Sequence, residues 1–386
     1  MPSRIMKNFK TTKATKVTED EFWYPSQTKS PPHNYSPGII YLLKDALKAA
    51  HQKGSIHRAV LCFEQTVHIS RELFDVSWGC GYRNFLMACT ALMVQQNQTI
   101  YFPLLDDPMP PGARNLQLWI EHAWSQGYDE IGARELDHNL HNTKKYIGTG
   151  ELYVAFTSRG IPCKLVDFDL DKTYKGINAL TEWVVNYFSP PPAKEGSTKV
   201  SVGDILRGAS PVIATDKMPL ILQDDGHSRT IVGYEVAKNG TVSLLAFDPS
   251  RKPTKHLRQA GIDGVSSLAH PLSSTSTSRL NRRSNNPPYS VSSPKHIGAA
   301  ADGDDDDDVI VITDTESEPE SQAGRHVKPN SRTDHRSDVL SLCRIWNSKL
   351  GRKKKYQILF FTMGNPLTEN ERESRKIVTS IDGCQW

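Results

Sequence analysis

The sequence predicts an α+β fold, with helices gathered in its first half and strands in its second. Three observations carry this. Between residues 38 and 157, apolar residues recur mainly at helical spacing. From residue 163 to 248, short apolar runs alternate with Gly, Pro, Asp and Asn, as strands and turns do. A cysteine, Cys80, stands between two glycines just ahead of the continuous apolar run Phe85 to Val94, where a buried helix is expected.

Taken in order, Ile39, Ile40, Leu42, Leu43, Ala46, Leu47 and Ala50 share one helical face between Gly38 and Lys53. Arg58 to Phe63 reads as a strand. Asn115 to Trp124 and Asn142 to Thr157 read as helices that cover the core. Cys163 to Phe168 is a strand, Asn178 to Phe188 a helix, and Val212 to Thr215 and Leu220 to Gln223 are short strands. Pro219 to Gly233 reads as strand, turn, strand. Ser243 to Phe247 is a further strand, reached through the turn Lys238-Asn239-Gly240 and ending at Asp248-Pro249. Ile358 to Phe361 reads as the final strand.

A cysteine at a helix N-terminus faces backbone N–H groups without intrahelical acceptors and the positive end of the helix dipole. Both favour the thiolate, the nucleophilic form. A cysteine met at random is more often an inert packed residue, but a Gly-flanked, helix-opening position suits attack better than packing. The base such a thiol needs is best supplied by His227 at a strand start, with Asp248 holding its ring. The hairpin between these residues returns the chain from one to the other, and a bulge is one way to bring them into register. Alone, His227 reads as a turn residue and Asp248 as a strand terminator; together they favour chemistry.

Trp78-Gly79-Cys80-Gly81-Tyr82-Arg83-Asn84, Gly226-His227-Ser228-Arg229-Thr230 and Asp248-Pro249 together resemble the cysteine peptidases of family C78. The resemblance is closest to the zinc-finger-containing ubiquitin peptidase branch and its fungal relatives. Thr143 to Gly148, Leu165 to Phe168 and Tyr356 to Ile358 agree with it. It covers roughly Gly38 to Asp248, with a short piece from Asp338 to Phe361. It implies a papain-like cysteine peptidase fold that cleaves ubiquitin or ubiquitin-like modifiers, with Cys80 as nucleophile, His227 as general base, Asp248 as orienting acid and Gln223 as oxyanion donor. It implies action on polyubiquitin, lysine-63-linked chains first, with no metal or cofactor. The branch specific for the ubiquitin-fold modifier carries an Asp-Pro-His box; here Ser250 follows Asp248-Pro249 and the histidine lies upstream, the ubiquitin-cleaving arrangement. Asp75, Trp78 and Tyr82 either line the channel for the ubiquitin tail or pack around the nucleophile. The alternatives are a protease for another ubiquitin-like modifier and an inactive ubiquitin-binding module. Nucleic-acid binding has only Arg352 to Lys355 and scattered basic tails behind it.

The chain of 386 residues carries a net charge of +4, too small to argue for a nucleic-acid partner. Its 37% hydrophobic content and 24 prolines point to disordered stretches within it. Residues 1–37 read as a polar tail, without room or ligands for zinc fingers. The peptidase domain is expected over residues 38–250 and 338–366, a disordered insertion over 251–337, and a C-terminal tail with a short helix over 367–386. Cys62, Cys80, Cys89, Cys163, Cys343 and Cys384 have no paired metal spacing. Without a signal peptide or a membrane-length apolar run, free cysteines fit the reducing nucleus and cytoplasm.

Within the expected insertion, Asp304 to Asp308 precede Val309, Ile310, Val311 and Ile312, and Asp314, Glu316 and Glu318 follow. The charges either guard an aggregation-prone strand or meet the basic rim of a partner whose sheet that strand joins. The layout resembles a SUMO-interacting motif, with Thr313, Thr315 and Ser317 able to add charge by phosphorylation.

Overall fold

The computed structural model describes residues 21–189, 210–269 and 335–385. Strand β1 (Tyr35–Ser36) leads into α1 (Ile39–Gln52), whose apolar face is buried at Ile39, Ile40, Leu43, Ala46, Leu47 and Ala50. Then come β2 (Ile56–Leu61), β3 (His68–Ile69) and α2 (Cys80–Val94). Every residue of α2 is buried, as a helix apolar on all sides requires. Four helices and a strand follow: α3 (Tyr101–Asp106), α4 (Ala113–Ser125), α5 (Glu130–Glu135), α6 (Thr149–Ser158) and β4 (Cys163–Asp169). After α7 (Ile177–Phe188) the chain becomes strand-rich, with β5 (Val212–Ala214), β6 (Leu220–Asp224), β7 (His227–Ala237) and β8 (Val242–Phe247). The last elements are α8 (Lys255–Ala269), α9 (His335–Cys343), β9 (Arg344–Ile345), α10 (Asn347–Leu350), β10 (Lys355–Phe361), α11 (Glu369–Ser374) and β11 (Ser380–Asp382).

Nine of the eleven described strands form one sheet, β11-β4-β10-β6-β7-β2-β5, with β8 on the other edge of β7 and β9 beyond it, while β1 and β3 form a separate pair. The eleven-residue β7 binds β6 through its first half and β2 through its second. Helix α2 packs on β7, so the helical half of the chain meets the sheet where the nucleophile and histidine elements begin. This is the α+β, papain-like layout the sequence predicts.

Three boundaries differ from expectation. Part of the tail is ordered: Phe22 and Trp23 enter the core, the Trp23 ring N–H donates to the Lys29 carbonyl at 2.8 Å, and β1 pairs with β3. Two isolated aromatics in a polar stretch leave no periodicity to read. Helix α8 falls inside the expected insertion, and α9 begins just before its expected end. Gly261 of α8 meets the chain before α1 so closely that a Cβ on Gly38 would lie 2.2 Å from the Gly261 carbonyl oxygen. The expected C-terminal tail contributes a final strand, since β11 pairs with β4 in parallel. Residues 142–148 are also not helical; only α6 is. Val309 to Ile312 lie outside the described residues. Among the described residues no helix is long and apolar enough to cross a membrane.

Candidate active site

Cys80 is the first residue of α2, and the turn before it is built around one buried carboxylate. Asp75 Oδ1 accepts the Glu72 backbone N–H at 2.6 Å, and its Oδ2 accepts Arg83 Nε at 2.6 Å. Arg83 lies one turn into α2, so this buried pair ties the loop to the helix that carries the thiol. A Cβ on Gly79 would sit 2.3 Å from Asp75 Oδ2, which only glycine avoids. Gly81 is required on the other side, where a Cβ would lie 2.5 Å from the Ile147 carbonyl oxygen.

That carbonyl belongs to the segment 140–148, of which Tyr146, Ile147 and Gly148 line the cleft. Tyr82 O–H donates to the Lys145 carbonyl at 3.1 Å, while Gln117 Nε2 donates to Tyr82 Oη at 3.1 Å. Gln117 Oε1 accepts the Asn142 backbone N–H at 3.0 Å. These bonds use backbone groups that a helix would have consumed, and Asn142 adopts a positive φ of 59°. Asp75, Trp78 and Tyr82 are fully buried and do not line the cleft; of their two predicted roles, packing is the one seen. The cleft, of about 760 Å³, is lined instead by Leu136, Tyr146, Ile147 and Gly148 beside Cys80, Gln223 and His227.

The histidine and carboxylate meet because β7 carries a bulge. Tyr234 pairs with Leu244 and Gly233 with Leu245, but Ile231 pairs with Ala246 and Thr230 with Phe247. Val232 is the extra residue. Directly opposed residues point to one face of a sheet. One step beyond the last pair, the shifted register sets Asp248 opposite Arg229, on the face shared by His227. Without the bulge it would oppose Thr230 and point away. His227 Nε2 lies 2.9 Å from Asp248 Oδ1, which leaves Nδ1 for the hydrogen bond between the ring and Cys80. Ser250 completes the carboxylate's shell, its N–H and hydroxyl donating to Oδ1 at 2.9 and 2.6 Å. Arg229 bridges two acids, donating Nε to Asp248 Oδ2 at 3.1 Å and Nη1 to Asp224 Oδ2 at 2.7 Å.

Burial raises the pKa of the Cys80 thiol. The hydrogen bond and charge of His227, with hydrogen bonds from the hydroxyl and backbone of Ser228, outweigh this and bring it below its ordinary value. Burial lowers His227, but hydrogen bonds to Asp248 and Cys80 and the Asp248 charge raise it to about 9. Burial would raise Asp248; its bond to His227, that ring's charge and the two bonds from Ser250 hold it far below the usual carboxylate range. Cys89, buried on the same helix without such partners, is pushed well up.

Gln223 also reaches the cleft. Its Oε1 accepts the Thr149 backbone N–H at 2.5 Å, and a Cβ on Gly148 would lie 2.6 Å from that oxygen. All four residues singled out from the sequence, Cys80, Gln223, His227 and Asp248, therefore converge. Sequence reasoning assigned no role to Asn84, Ser228, Arg229 and Thr149. Asn84 Nδ2 donates to Ser228 Oγ at 2.9 Å and Thr230 donates to Asn84 Oδ1 at 2.8 Å, locking α2 to β7. Asn84, Ser228 and Arg229 stand in the strings quoted around Cys80 and His227, and Thr149 directly follows Thr143 to Gly148, but only the fold shows which neighbours face inward.

The family model for peptidase family C78 matches residues 55–281, more than half of the chain. The chain belongs to peptidase family C78. Zinc finger-containing ubiquitin peptidase 1 from Rattus norvegicus is 38% identical over 196 residues, 50% of this chain and 31% of the relative. The Homo sapiens protein of that name is 39% identical over 196 residues, with the same coverage. Ubiquitin carboxyl-terminal hydrolase mug105 of Schizosaccharomyces pombe is 30% identical over 177 residues, 46% of this chain and 62% of the relative. The match thus spans about a third of the length of the mammalian C78 relatives.

Proposed function

We propose that this C78 member is a cysteine-type deubiquitinase that hydrolyses the isopeptide bond after the C-terminal glycine of ubiquitin. The observation that carries the reading is a lowered thiol at a helix N-terminus, hydrogen-bonded to a histidine whose far nitrogen is held by a buried carboxylate. The Cys80 thiolate attacks the glycine carbonyl, and His227 protonates the departing lysine amine. Water then resolves the thioester with His227 as base. The Cys80 backbone N–H and Gln223 Nε2 donate to the oxyanion. Ubiquitin, rather than another modifier, is supported by the names of the relatives and by Ser250 where an Asp-Pro-His box would place histidine. Lysine-63-linked chains are the first polyubiquitin to test. Buried free cysteines support a reducing nuclear or cytoplasmic setting.

The test is labelling and turnover. An electrophilic ubiquitin probe is expected to modify Cys80 faster than the ubiquitin-fold-modifier probe, and a diubiquitin panel to be cleaved by the wild type. Cys80→Ala should retain ubiquitin binding and lose all turnover, while Cys89→Ala keeps it. Faster labelling by the second probe would assign the other modifier; tight binding without turnover would make the chain an inactive binding module.

A further inference from the structure

A row of polar residues crosses the sheet. Asp382 of β11 pairs with Asp167 of β4, Asp167 with Gln357 of β10, Gln357 with Gln223 of β6, and Gln223 with Ser228 of β7. Opposed residues share a face, so the row runs from the C-terminal strand to the hydroxyl beside the Cys80 thiol. Part of it is hydrogen-bonded in series. Ser380 donates to Asp167 Oδ2, and Gln357 Nε2 donates to Asp167 Oδ1 at 2.6 Å. The Thr149 hydroxyl donates to Gln357 Oε1, and the Thr149 N–H donates to Gln223 Oε1 at 2.5 Å, the hydroxyl oxygen lying 3.1 Å from the same atom.

The direction of these bonds is fixed from the far end. Both Asp167 oxygens accept, one from Ser380 and one from Gln357, so Gln357 turns Nε2 toward Asp167 and Oε1 toward Thr149. The Thr149 hydroxyl proton is thereby committed to Gln357, and its N–H, at the start of α6, has no intrahelical acceptor. Gln223 must then turn Oε1 to that N–H. Its Nε2 is left as the amide's donor in the cleft that Gln223 shares with Cys80.

We propose that Thr149, Gln357 and Asp167 are positioning residues that hold the Gln223 amide in its donating orientation before substrate arrives. This rests on the oxyanion role proposed for Gln223. A donor fixed in advance needs no reorganisation as negative charge develops, which is where its catalytic value lies. It also gives the C-terminal strand a part in catalysis, because Ser380 holds the second Asp167 oxygen.

Steady-state kinetics of the full chain on a ubiquitin C-terminal fluorogenic amide tests the relay. Gln223→Ala should lower kcat about a hundredfold. Thr149→Val, which keeps the N–H on Gln223 Oε1 but puts a methyl in place of the hydroxyl that ties Thr149 to Gln357 and lies 3.1 Å from Gln223 Oε1, should lower kcat about tenfold with KM nearly unchanged, and Thr149→Ser should restore it. Gln357→Leu, on a separate strand, should repeat the Thr149→Val result. In the Gln223→Ala background, Thr149→Val should add less than about twofold, because its effect travels through the absent amide. The iodoacetamide alkylation rate of Cys80, followed by mass spectrometry, should stay at the wild-type value in Thr149→Val and Gln357→Leu. Equal losses in both backgrounds, or slowed alkylation, would make these residues structural supports and overturn the relay. An unchanged kcat in Gln223→Ala would instead remove the oxyanion role itself.

Discussion

At the scale of single residues, the candidate centre is a set of charges that stabilise one another. Thiolate and imidazolium coexist between the lowered pKa of Cys80 and the value of about 9 at His227. The kcat/KM profile should therefore carry an alkaline limb near pH 9, a property of the coupled pair, which a pH series on a ubiquitin amide substrate reads. The same shifts act on stability with opposite signs. His227 is raised above its unfolded value of about 6.5, so its contribution is complete below that pH and is lost as pH rises through about 9. Asp248 is depressed, so its contribution is present above about pH 4 and is lost as pH falls through its folded value. Asp248→Asn should lower kcat roughly a hundredfold or more and move the alkaline limb to lower pH. An unmoved limb would mean that Asp248 does not support the imidazolium. His68, buried with its Nε2 3.3 Å from the Asp248 carbonyl oxygen, is lowered by burial to about 4 and stays neutral across the alkaline limb.

At the scale of elements, one extra residue in β7 decides whether the candidate triad exists. The shift at Val232 is accommodated by Gly233, which adopts φ of 151° and whose Cβ would lie 2.2 Å from the Val60 carbonyl oxygen. A side chain there would push β7 off β2 and strain the backbone. Gly233→Ala should cost roughly 2 kcal/mol or more of stability, read as a lower urea midpoint, and depress turnover through the shifted Asp248. A midpoint matching the wild type would mean that the bulge tolerates a side chain. The hairpin strands are legible in the sequence, because turn chemistry and β-branched runs are local, and a bulge is one of the ways the sequence allows them to bring His227 and Asp248 together. The bulge's position is not, because it depends on how closely β2 approaches.

At the scale of the whole molecule, the described residues belong to one compact unit. Deleting 271–332 with a short Gly/Ser link should preserve hydrolysis of a minimal ubiquitin substrate, since each doubling of a loop costs only about 0.6 kcal/mol. Deleting 255–332 should not, because it removes α8, whose Leu257 is buried and whose Arg258 donates to the Tyr35 carbonyl at 2.8 Å. Equal activity of both deletions, with equal thermal midpoints, would show α8 to be dispensable. We also propose, from the aliphatic run within an acidic stretch, that Val309 to Ile312 bind SUMO. The shorter deletion should then lose binding to immobilised SUMO while keeping hydrolysis, and full SUMO binding after it would place any such site elsewhere.

What the sequence determined by itself is local. Helical spacing gives α1 and α4, and a run apolar on every side gives α2. Gly-flanked Cys80, strand-opening His227 and strand-ending Asp248 announce a thiol, a base and an acid, because each chemistry needs its residue type at an element's end. Tertiary structure alone decided which glycine avoids which neighbour: Gly79 clears Asp75, Gly81 clears Ile147 and Gly148 clears Gln223. It also brought Phe22 and Trp23 into the core and β11 onto β4. Above all it set the register that aligns Asp167, Gln357, Gln223 and Ser228 on one face. Register is fixed by pairing between strands far apart in the chain, and a one-residue slip turns every side chain to the opposite face, so no local pattern encodes it.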